Sequence, residues 1–132
     1  MRSYTVEIVT PIKDVRLENV SYLRCPGLDG SFGVMNKHRE GIFALSIGEL
    51  KIKKNDKDEY FAIGGGFAEI FKDSVKLLVE SLEKSNEIDF DRANDSFKRA
   101  QQRKTEQNSE INDARVEASL VRASNRLRVS KR

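Results

Sequence analysis

Ile88-Asp89-Phe90-Asp91-Arg92-Ala93 is the stretch of sequence at which the chain changes its character. Before it, short alternating apolar runs are separated by Asn, Asp, Gly and Pro, which is typical of β-strands joined by turns. After it, residues 90–104 and 110–128 contain no Gly or Pro, which favours two helices. The stretch therefore predicts a boundary between a β part, residues 1–87, and a helical part, residues 88–132.

The composition indicates a charged, non-membrane chain. It has 132 residues, of which 38% are apolar and 34% are charged. No apolar run approaches the roughly 20 residues that span a bilayer, and the N-terminus lacks the apolar core of a secretory signal. Cys25 is the single cysteine, so no internal disulfide can form. We therefore expect an intracellular protein.

The charge is distributed unevenly between the two parts. Residues 1–87 carry 13 Lys and Arg against 14 Asp and Glu, a net charge of −1, whereas residues 88–132 carry 11 against 7, a net charge of +4. A basic helical part indicates an acidic partner, a phosphate ligand or nucleic acid. A solvated helix surface would give the same balance, so the charge alone leaves these interpretations open.

The first part reads as a small antiparallel β-sandwich or flattened barrel, which makes the whole chain an α+β protein. Runs of alternating or β-branched residues recur between turn signals. The predicted strands are Tyr4–Val9, Val20–Cys25, Phe32–Met35, Ile42–Leu45, Leu50–Lys53, Tyr60–Ile63, Phe67–Phe71 and Val75–Val79.

Neither the glycine run nor the histidine of this part predicts catalysis. Gly64-Gly65-Gly66 leads into a strand-like segment and lacks the Gly-Lys-Ser/Thr of a phosphate-binding loop, so it predicts a bulge or a close backbone approach. His38, the single histidine, has no Cys or His companions for a metal and no nucleophile to activate. The sequence predicts no catalytic residue, no metal site and no catalytic cofactor, and the part is interpreted as a binding body.

The second part predicts an antiparallel helical hairpin. Asp89 is a good N-cap for the first helix, and the polar residues 106–109 link it to the second. At about 100° per residue, each helix has an apolar face. We expect the first-helix face Phe90, Ala93, Phe97 and Ala100 to meet the second-helix face Ile111, Ala114, Ala118 and Val121. The opposite face of the second helix, Val116, Leu120, Ala123 and Leu127, is left for the β part or another protein.

Arginines form a stripe along each helix. Arg92, Arg99 and Arg103 are spaced i, i+7, i+11, and so are Arg115, Arg122 and Arg126. On an isolated helix, like charges four residues apart repel by roughly 0.2–0.5 kcal/mol. An anion such as a triphosphate between the stripes would turn that cost into a gain, although a solvated face would tolerate it.

Several motifs resemble the epsilon subunit of F-type ATP synthases. They are Pro26-Gly27-x-x-Gly30-x-x-Gly33-Val34, His38, Leu45-x-x-Gly48 and Gly65-Gly66-Phe67-x-Glu69-Ile70. Ile88-Asp89-x-x-Arg92-Ala93 and Arg122-Ala123-x-x-Arg126-Leu127 resemble the ATP-binding motifs of bacterial members. The chain departs from the family at Arg39-Glu40-Gly41, where Ala-Pro and a Leu-rich segment are usual, and at Ser31-Phe32, where an acidic residue is often found.

The resemblance implies site residues for two kinds of contact. The regulatory ATP site would comprise Glu83, Ile88, Asp89, Arg92, Ala93, Arg99, Arg122 and Arg126. Contacts with the gamma subunit or the c ring would come from Asp29, Gly30, Ser31, Phe32 and His38.

The resemblance also implies a function. The chain would be a non-catalytic subunit of the central rotor stalk, with its sandwich docked on gamma and the c ring. Its helices would reach the alpha/beta catalytic head and inhibit ATP hydrolysis, and ATP would favour the compact hairpin. The complex would place it peripherally on the cytoplasmic face of a bacterial inner membrane, or at the equivalent organelle membrane.

Two alternatives come from other classes of protein. A β-barrel with a basic helical arm could bind nucleic acid, but that function needs exposed aromatics and a basic sheet face. The first part is slightly acidic, and its aromatics fall largely at core-like strand positions. The other alternative is a small-molecule-sensing domain that has no rotor.

Overall fold

A computed structural model describes residues 3–35, 39–106 and 110–132, with the side chains of 105, 106 and 110–113 left aside. His38 lies outside the described residues. Seven strands precede a 3₁₀ turn, Ser85–Glu87, and two helices. The strands are β1 (Tyr4–Val9), β2 (Asp14–Gly27), β3 (Gly30–Val34), β4 (Gly41–Lys54), β5 (Lys57–Ile70), β6 (Ser74–Val79) and β7 (Leu82–Lys84), and the helices are α1 (Phe90–Glu106) and α2 (Glu110–Ser130).

Three of the strands are much longer than predicted. β2, β4 and β5 each have 14 residues, so the segments predicted as separate strands on either side of Ser46–Glu49 and Gly64–Gly66 are continuous. Asn55 and Asp56 join β4 to β5 with φ angles of 51° and 62°, as in a two-residue type I′ hairpin. The sequence Asn55-Asp56-Lys57-Asp58 predicts a turn at this point, and the structure confirms it at the first two of these residues.

The strands close into a flattened barrel. β1, β6, β5, β4 and β2 are hydrogen-bonded in that order, and β2 also pairs with β1. β3 pairs with β2, and β7 pairs with β5. The pairings are antiparallel as predicted, with one exception, the parallel pair β1–β6. These two strands are far apart in sequence, so no hairpin turn fixes their relative direction.

An apolar core fills the barrel. It contains Val6, Ile8, Leu23, Leu50, Ile52, Ile63 and Leu77, each almost fully buried. Most aromatics of this part are core residues, as predicted: Tyr4 and Phe61 are buried, and Phe32 and Phe43 pack against the core. The exceptions are Phe67, which is 53% exposed, and Phe71, which is 50% exposed. Ala68 and Ile70 point inward on β5, so strand alternation directs Phe67 outward.

Gly66 explains the glycine run. Its φ angle is +147°, and a Cβ atom built on it would collide with the carbonyl oxygen of Leu78 on β6. The predicted close backbone approach is therefore confirmed. The pairings of β5 with β4 run on both sides of the glycines without a shift in register, so the alternative of a bulge is not observed there.

The helical part is a hairpin whose first helix begins as predicted. The Asp89 carboxylate accepts a hydrogen bond from the backbone N–H of Arg92 at 3.2 Å, which confirms the N-cap. Lys104 on α1 forms an ion pair with Glu117 on α2, and Ala100 lies opposite Ala123. Pairs that converge in this way require antiparallel helices.

The predicted facing of α2 is wrong. Ala114 is exposed and Val121 is 47% exposed, whereas Val116 and Ala123 from the opposite face are buried. Ile111 belongs to the side chains left aside. Both faces of α2 are apolar, so periodicity could not choose between them. Ala123 and Ala100 of α1 are both buried and line the same cleft between the helices, and small residues there allow the helices to approach closely.

The hairpin folds back on the barrel through the C-terminal half of α2. Asn125, which is 5% exposed, donates a hydrogen bond from Nδ2 to the carbonyl oxygen of Gly48 at 2.8 Å. A small apolar cluster joins α2 to the base of α1 and to β5. Its buried members are Ala62, Ile88, Ala93 and Val129. Of the second apolar face of α2, which the sequence left for the β part or another protein, Leu127 packs against this cluster, whereas Ala123 lines the cleft shared with α1.

Candidate anion-binding site and contact surface

A cleft of about 290 Å³ between the two helices gathers four arginines, and we call it the arginine cleft. It is lined by Ser96, Arg99, Ala100, Arg103, Ser119, Arg122, Ala123 and Arg126. The alanines form its floor, because both are buried between the helices. Four guanidinium groups around one concave surface offer many hydrogen-bond donors and a positive charge, which is the chemistry that binds a polyphosphate.

Serines one turn earlier hold two of these arginines. Arg99 donates to the Ser96 hydroxyl at 3.1 Å, and Arg122 donates to the Ser119 hydroxyl at 3.3 Å. The same Ser-x-x-Arg spacing occurs on both helices, so α1 and α2 present the same pair of side chains on the two sides of the cleft. Because these contacts are neutral and exposed, they orient the guanidinium groups and leave their charge uncompensated.

Arg126 is the one cleft arginine with a carboxylate partner in the described part of the chain. Its Nε donates to Glu83 Oε1 at 2.6 Å and its Nη2 to Glu83 Oε2 at 3.0 Å, a two-point contact between α2 and β7. Both side chains are about one third exposed. The pair therefore ties the cleft to the barrel, while solvent and salt keep its strength modest.

The Ile88–Ala93 motif forms the base of the hairpin beside the cleft. Ile88 and Ala93 are buried in the apolar cluster, and Asp89 caps α1. Arg92 is exposed and is not among the residues that line the cleft. Of the predicted ATP-site residues, the structure thus brings Arg99, Arg122 and Arg126 together, with Glu83 bound to Arg126.

Sequence reasoning left Arg103, Ser96 and Ser119 out of the predicted site. Arg103 belonged to the predicted stripe, whose i, i+7, i+11 spacing was a sufficient signal. The serines could have been found from their position three residues before Arg99 and Arg122. Arg115, from the other stripe, is exposed and lies outside the cleft.

The predicted contact turn is exposed at one end of the barrel. Gly30, with a φ angle of +119°, joins Asp29 to β3. Leu28 and Ile42, which were not predicted, are 67% and 72% exposed there. Together with the turn they line a shallow cavity of about 550 Å³, floored by the Phe32 and Phe43 rings at 5.4 Å. Exposed apolar side chains around a cavity are typical of a protein-binding surface.

The titratable groups of the barrel core are structural. Burial raises the pKa of the Cys25 thiol from 9.0 to about 12, so it stays protonated at neutral pH. Burial also raises the pKa of Tyr4, whose hydroxyl donates to the carbonyl oxygen of Val34 at 2.5 Å. Within the described ranges, no group of three His, Cys, Asp or Glu residues is placed to hold a metal ion.

A closed β-barrel carrying a helical hairpin defines a two-part binding protein. Family models match both parts: the ATP synthase delta/epsilon chain β-sandwich domain over residues 3–85, and the delta/epsilon chain long α-helix domain over residues 86–131. The chain belongs to the ATP synthase delta/epsilon chain family. It is accordingly a non-catalytic subunit of that complex, and the family assignment favours this interpretation over a nucleic-acid-binding module.

Known relatives are similar to this chain in sequence over nearly its full length. The chain is 42% identical to the ATP synthase epsilon chain of Nitratidesulfovibrio vulgaris strain DP4, covering 97% of this chain and 96% of the relative. It is 40% identical to that of Geotalea daltonii, with coverages of 95% and 91%.

The fold is similar to that of chains in solved mitochondrial ATP synthases. In the Euglena gracilis assembly of OSCP, F1 and c-ring, the TM-score is 0.83 at 18% identity, over 93% of this chain and 78% of that one. For the Tetrahymena thermophila central stalk and c-ring, it is 0.66 at 16% identity, over 98% and 97%. No helix in the described ranges is both long and apolar enough to cross a membrane.

Proposed function

We propose that this chain is a rotor-stalk subunit whose hairpin is a switch controlled by ATP. The barrel docks on the gamma subunit and, through the turn at Asp29–Phe32, on the c ring. This assignment is supported by the family and by the exposed apolar side chains around that turn. The two parts, residues 1–87 and 88–132, act as a docking unit and a regulatory unit. The subunit sits peripherally on the cytoplasmic face of a bacterial inner membrane.

The arginine cleft is the ATP site in this proposal. The observation that carries it is the convergence of Arg99, Arg103, Arg122 and Arg126 on one cleft between α1 and α2. Because both helices line it, the cleft is assembled only while they pack together. The triphosphate lies between the helices and neutralises the four guanidinium groups. Ile88, Asp89, Arg92 and Ala93 border the nucleoside end. Glu83 either keeps its ion pair with Arg126 and so positions it, or loses that pair when Arg126 binds the phosphates.

The switch follows from the difference in ATP affinity between two states. In the compact state the cleft is assembled, so ATP stabilises it. In the extended state the two arginine-bearing faces separate, and the basic α2 reaches the alpha/beta head, where it blocks the rotation that accompanies ATP hydrolysis. ATP at 100 times its dissociation constant would favour the compact state by about 2.7 kcal/mol if the extended state binds none.

The test is calorimetry of the isolated chain with ATP. We expect saturable binding that weakens about tenfold or more in Arg126→Ala and in Arg122→Ala, since each loses a charge-assisted contact of about 1.5–3 kcal/mol. Arg92→Ala tests the motif separately, because Arg92 lies outside the cleft. Arg115→Ala is the matched control, an exposed arginine of the same stripe that should leave binding unchanged.

Two outcomes would contradict the site. One is the absence of heat at millimolar ATP. The other is equal affinity in the Arg122→Ala, Arg126→Ala and Arg115→Ala variants, which would mean that any ATP binding is unspecific attraction to a basic helix.

A further inference from the structure

A second basic pocket lies where the end of α2 meets the barrel, and we call it the junction pocket. Its volume is about 380 Å³, and it shares no lining residue with the arginine cleft. The barrel contributes Arg24 and Ser31 from β2 and β3, with Glu49 from β4, and the helical part contributes Arg128 and Arg132. The ATP proposal uses none of these residues.

Glu49 organises the wall of the junction pocket. Arg132 donates to both of its carboxylate oxygens, from Nε at 2.9 Å and from Nη2 at 2.8 Å, and Arg24 lies 3.5 Å from one of them. The Glu49 side chain is only 9% exposed, so the two arginines cover it. The Arg132 guanidinium also lies over the Tyr60 ring, 4.6 Å from its centroid, which fixes its orientation.

The charges of the junction pocket do not cancel. Among the lining side chains, three guanidinium groups face one carboxylate, and Arg132 already binds that carboxylate at both oxygens, so Arg24 and Arg128 carry the surplus of two positive side-chain charges. Arg128 makes one hydrogen bond, from Nη2 to the side-chain oxygen of Asn125 at 2.8 Å, and has no carboxylate partner in the described part of the chain. Its remaining donors, those of Arg24 and the exposed Ser31 hydroxyl surround the same concave surface.

We propose that the junction pocket binds a phosphate dianion, either inorganic phosphate or the phosphate of a small monoester. A phosphate carries about 1.5–2 negative charges at neutral pH, which matches the surplus, and its oxygens can accept bonds from several directions. A carboxylate ligand would fit less well, because it is planar, has only two oxygens and carries less charge. Glu49 already places one carboxylate in the pocket. Among the described residues that line the pocket, none is an aromatic on which a nucleobase could stack.

The junction pocket spans the two parts of the chain, so phosphate bound there would affect how the hairpin docks on the barrel. Arg24 and Ser31 belong to the barrel, whereas Arg128 and Arg132 move with α2. A phosphate bound between them joins the hairpin to the barrel and favours the compact state. The phosphate and ATP contact different arginines, so variants can test each site alone, although both anions favour the same state.

The experiment titrates the full ¹⁵N-labelled chain with sodium phosphate, against sodium chloride of equal ionic strength, and follows backbone amides by NMR. We expect saturable shifts at Ser31, Gly48 and Glu49. In Arg128→Gln the dissociation constant should rise about tenfold, since a charge-assisted contact is lost. Arg24→Gln tests the barrel side in the same way. Arg122→Gln, in the arginine cleft, is the matched control and should leave these shifts unchanged.

Equal phosphate affinity in Arg128→Gln, Arg24→Gln and the unmodified chain would overturn the proposal, as would shifts confined to the arginine cleft. ATP calorimetry on Arg128→Gln separates this inference from the proposed function, because ATP affinity should be unaffected. If the chain does not bind ATP but phosphate still shifts the amides at the junction pocket, the junction pocket is supported and the proposed ATP site is not.

Discussion

The barrel and the docked hairpin are held by different kinds of interaction. The barrel has a continuous apolar core and closed strand pairing, so its residues are stabilised cooperatively. The hairpin is attached to it by a small apolar cluster, by the Asn125 hydrogen bond and by the ion pairs Glu83–Arg126 and Glu49–Arg132. We therefore expect that the attachment is lost while the barrel stays folded, which the proposed switch requires.

The hairpin attachment is also the part on which solution conditions act. Partly exposed ion pairs contribute between about zero and 1 kcal/mol each and are screened by salt. Anions near the arginines can add a comparable or larger amount by binding one state. The closed hairpin is accordingly adjustable, whereas the barrel is a constant scaffold.

The largest expected effect is on the barrel. Leu23→Ala removes a fully buried side chain from its core and should lower the free energy of unfolding by about 2–5 kcal/mol, measured by urea denaturation. Deleting residues 88–132 is the contrasting change, and the remaining barrel should keep a cooperative transition. An unfolded fragment would mean that the two parts are not separable.

Modification of the Cys25 thiol is a second measurement of the stability of the barrel. Its thiol should resist modification in the folded chain near pH 9, where an unfolded thiol is half ionised, because its pKa is raised to about 12. The folded state binds the proton more tightly, so this contribution to stability is complete below pH 9 and is lost progressively as the pH rises from 9 towards 12. Leu23→Ala should speed the modification, and variants that only release the hairpin should not.

An intermediate effect is expected at Asn125. Asn125→Ala leaves the Gly48 carbonyl without its donor and should weaken docking of the hairpin by about 1–3 kcal/mol. Hydrogen exchange of the α2 amides should become correspondingly faster, while the urea midpoint of the barrel stays the same. Ser124→Ala, at the exposed neighbouring position, is the control. Faster exchange throughout the barrel would contradict the separation of the two regions.

The smallest effect is expected at Glu83. Glu83→Gln removes a partly exposed ion pair with Arg126 and should weaken docking by about 0.2–1 kcal/mol, an effect that disappears at high salt. Exchange of the α2 amides at low and high salt measures it. Glu117→Gln is the matched control, since its partner Lys104 lies within the hairpin. A salt-independent loss would mean that Glu83 acts through packing.

The sequence was a good guide wherever local chemistry decides the structure. Asp89 predicted the start of α1, and Asn55-Asp56 predicted the hairpin turn between β4 and β5. The arginine spacing predicted four of the arginines that line the cleft, since residues seven apart return to nearly the same side of a helix, whereas Arg92 and Arg115 of the same stripes lie outside it. It was a poor guide to the facing of α2 and to the exposure of Phe67, because partners distant in sequence decide both.

By itself, the sequence determined the change from strands to helices, the helix cap and the two arginine stripes, because these depend on periodicity and on neighbours along the chain. Only the tertiary structure decided which face of α2 meets α1, the parallel pairing of β1 with β6, the Glu83–Arg126 pair and the junction pocket. Those features join residues that lie many positions apart. Their formation depends on shape and on competition between similar apolar faces, which a linear pattern does not record.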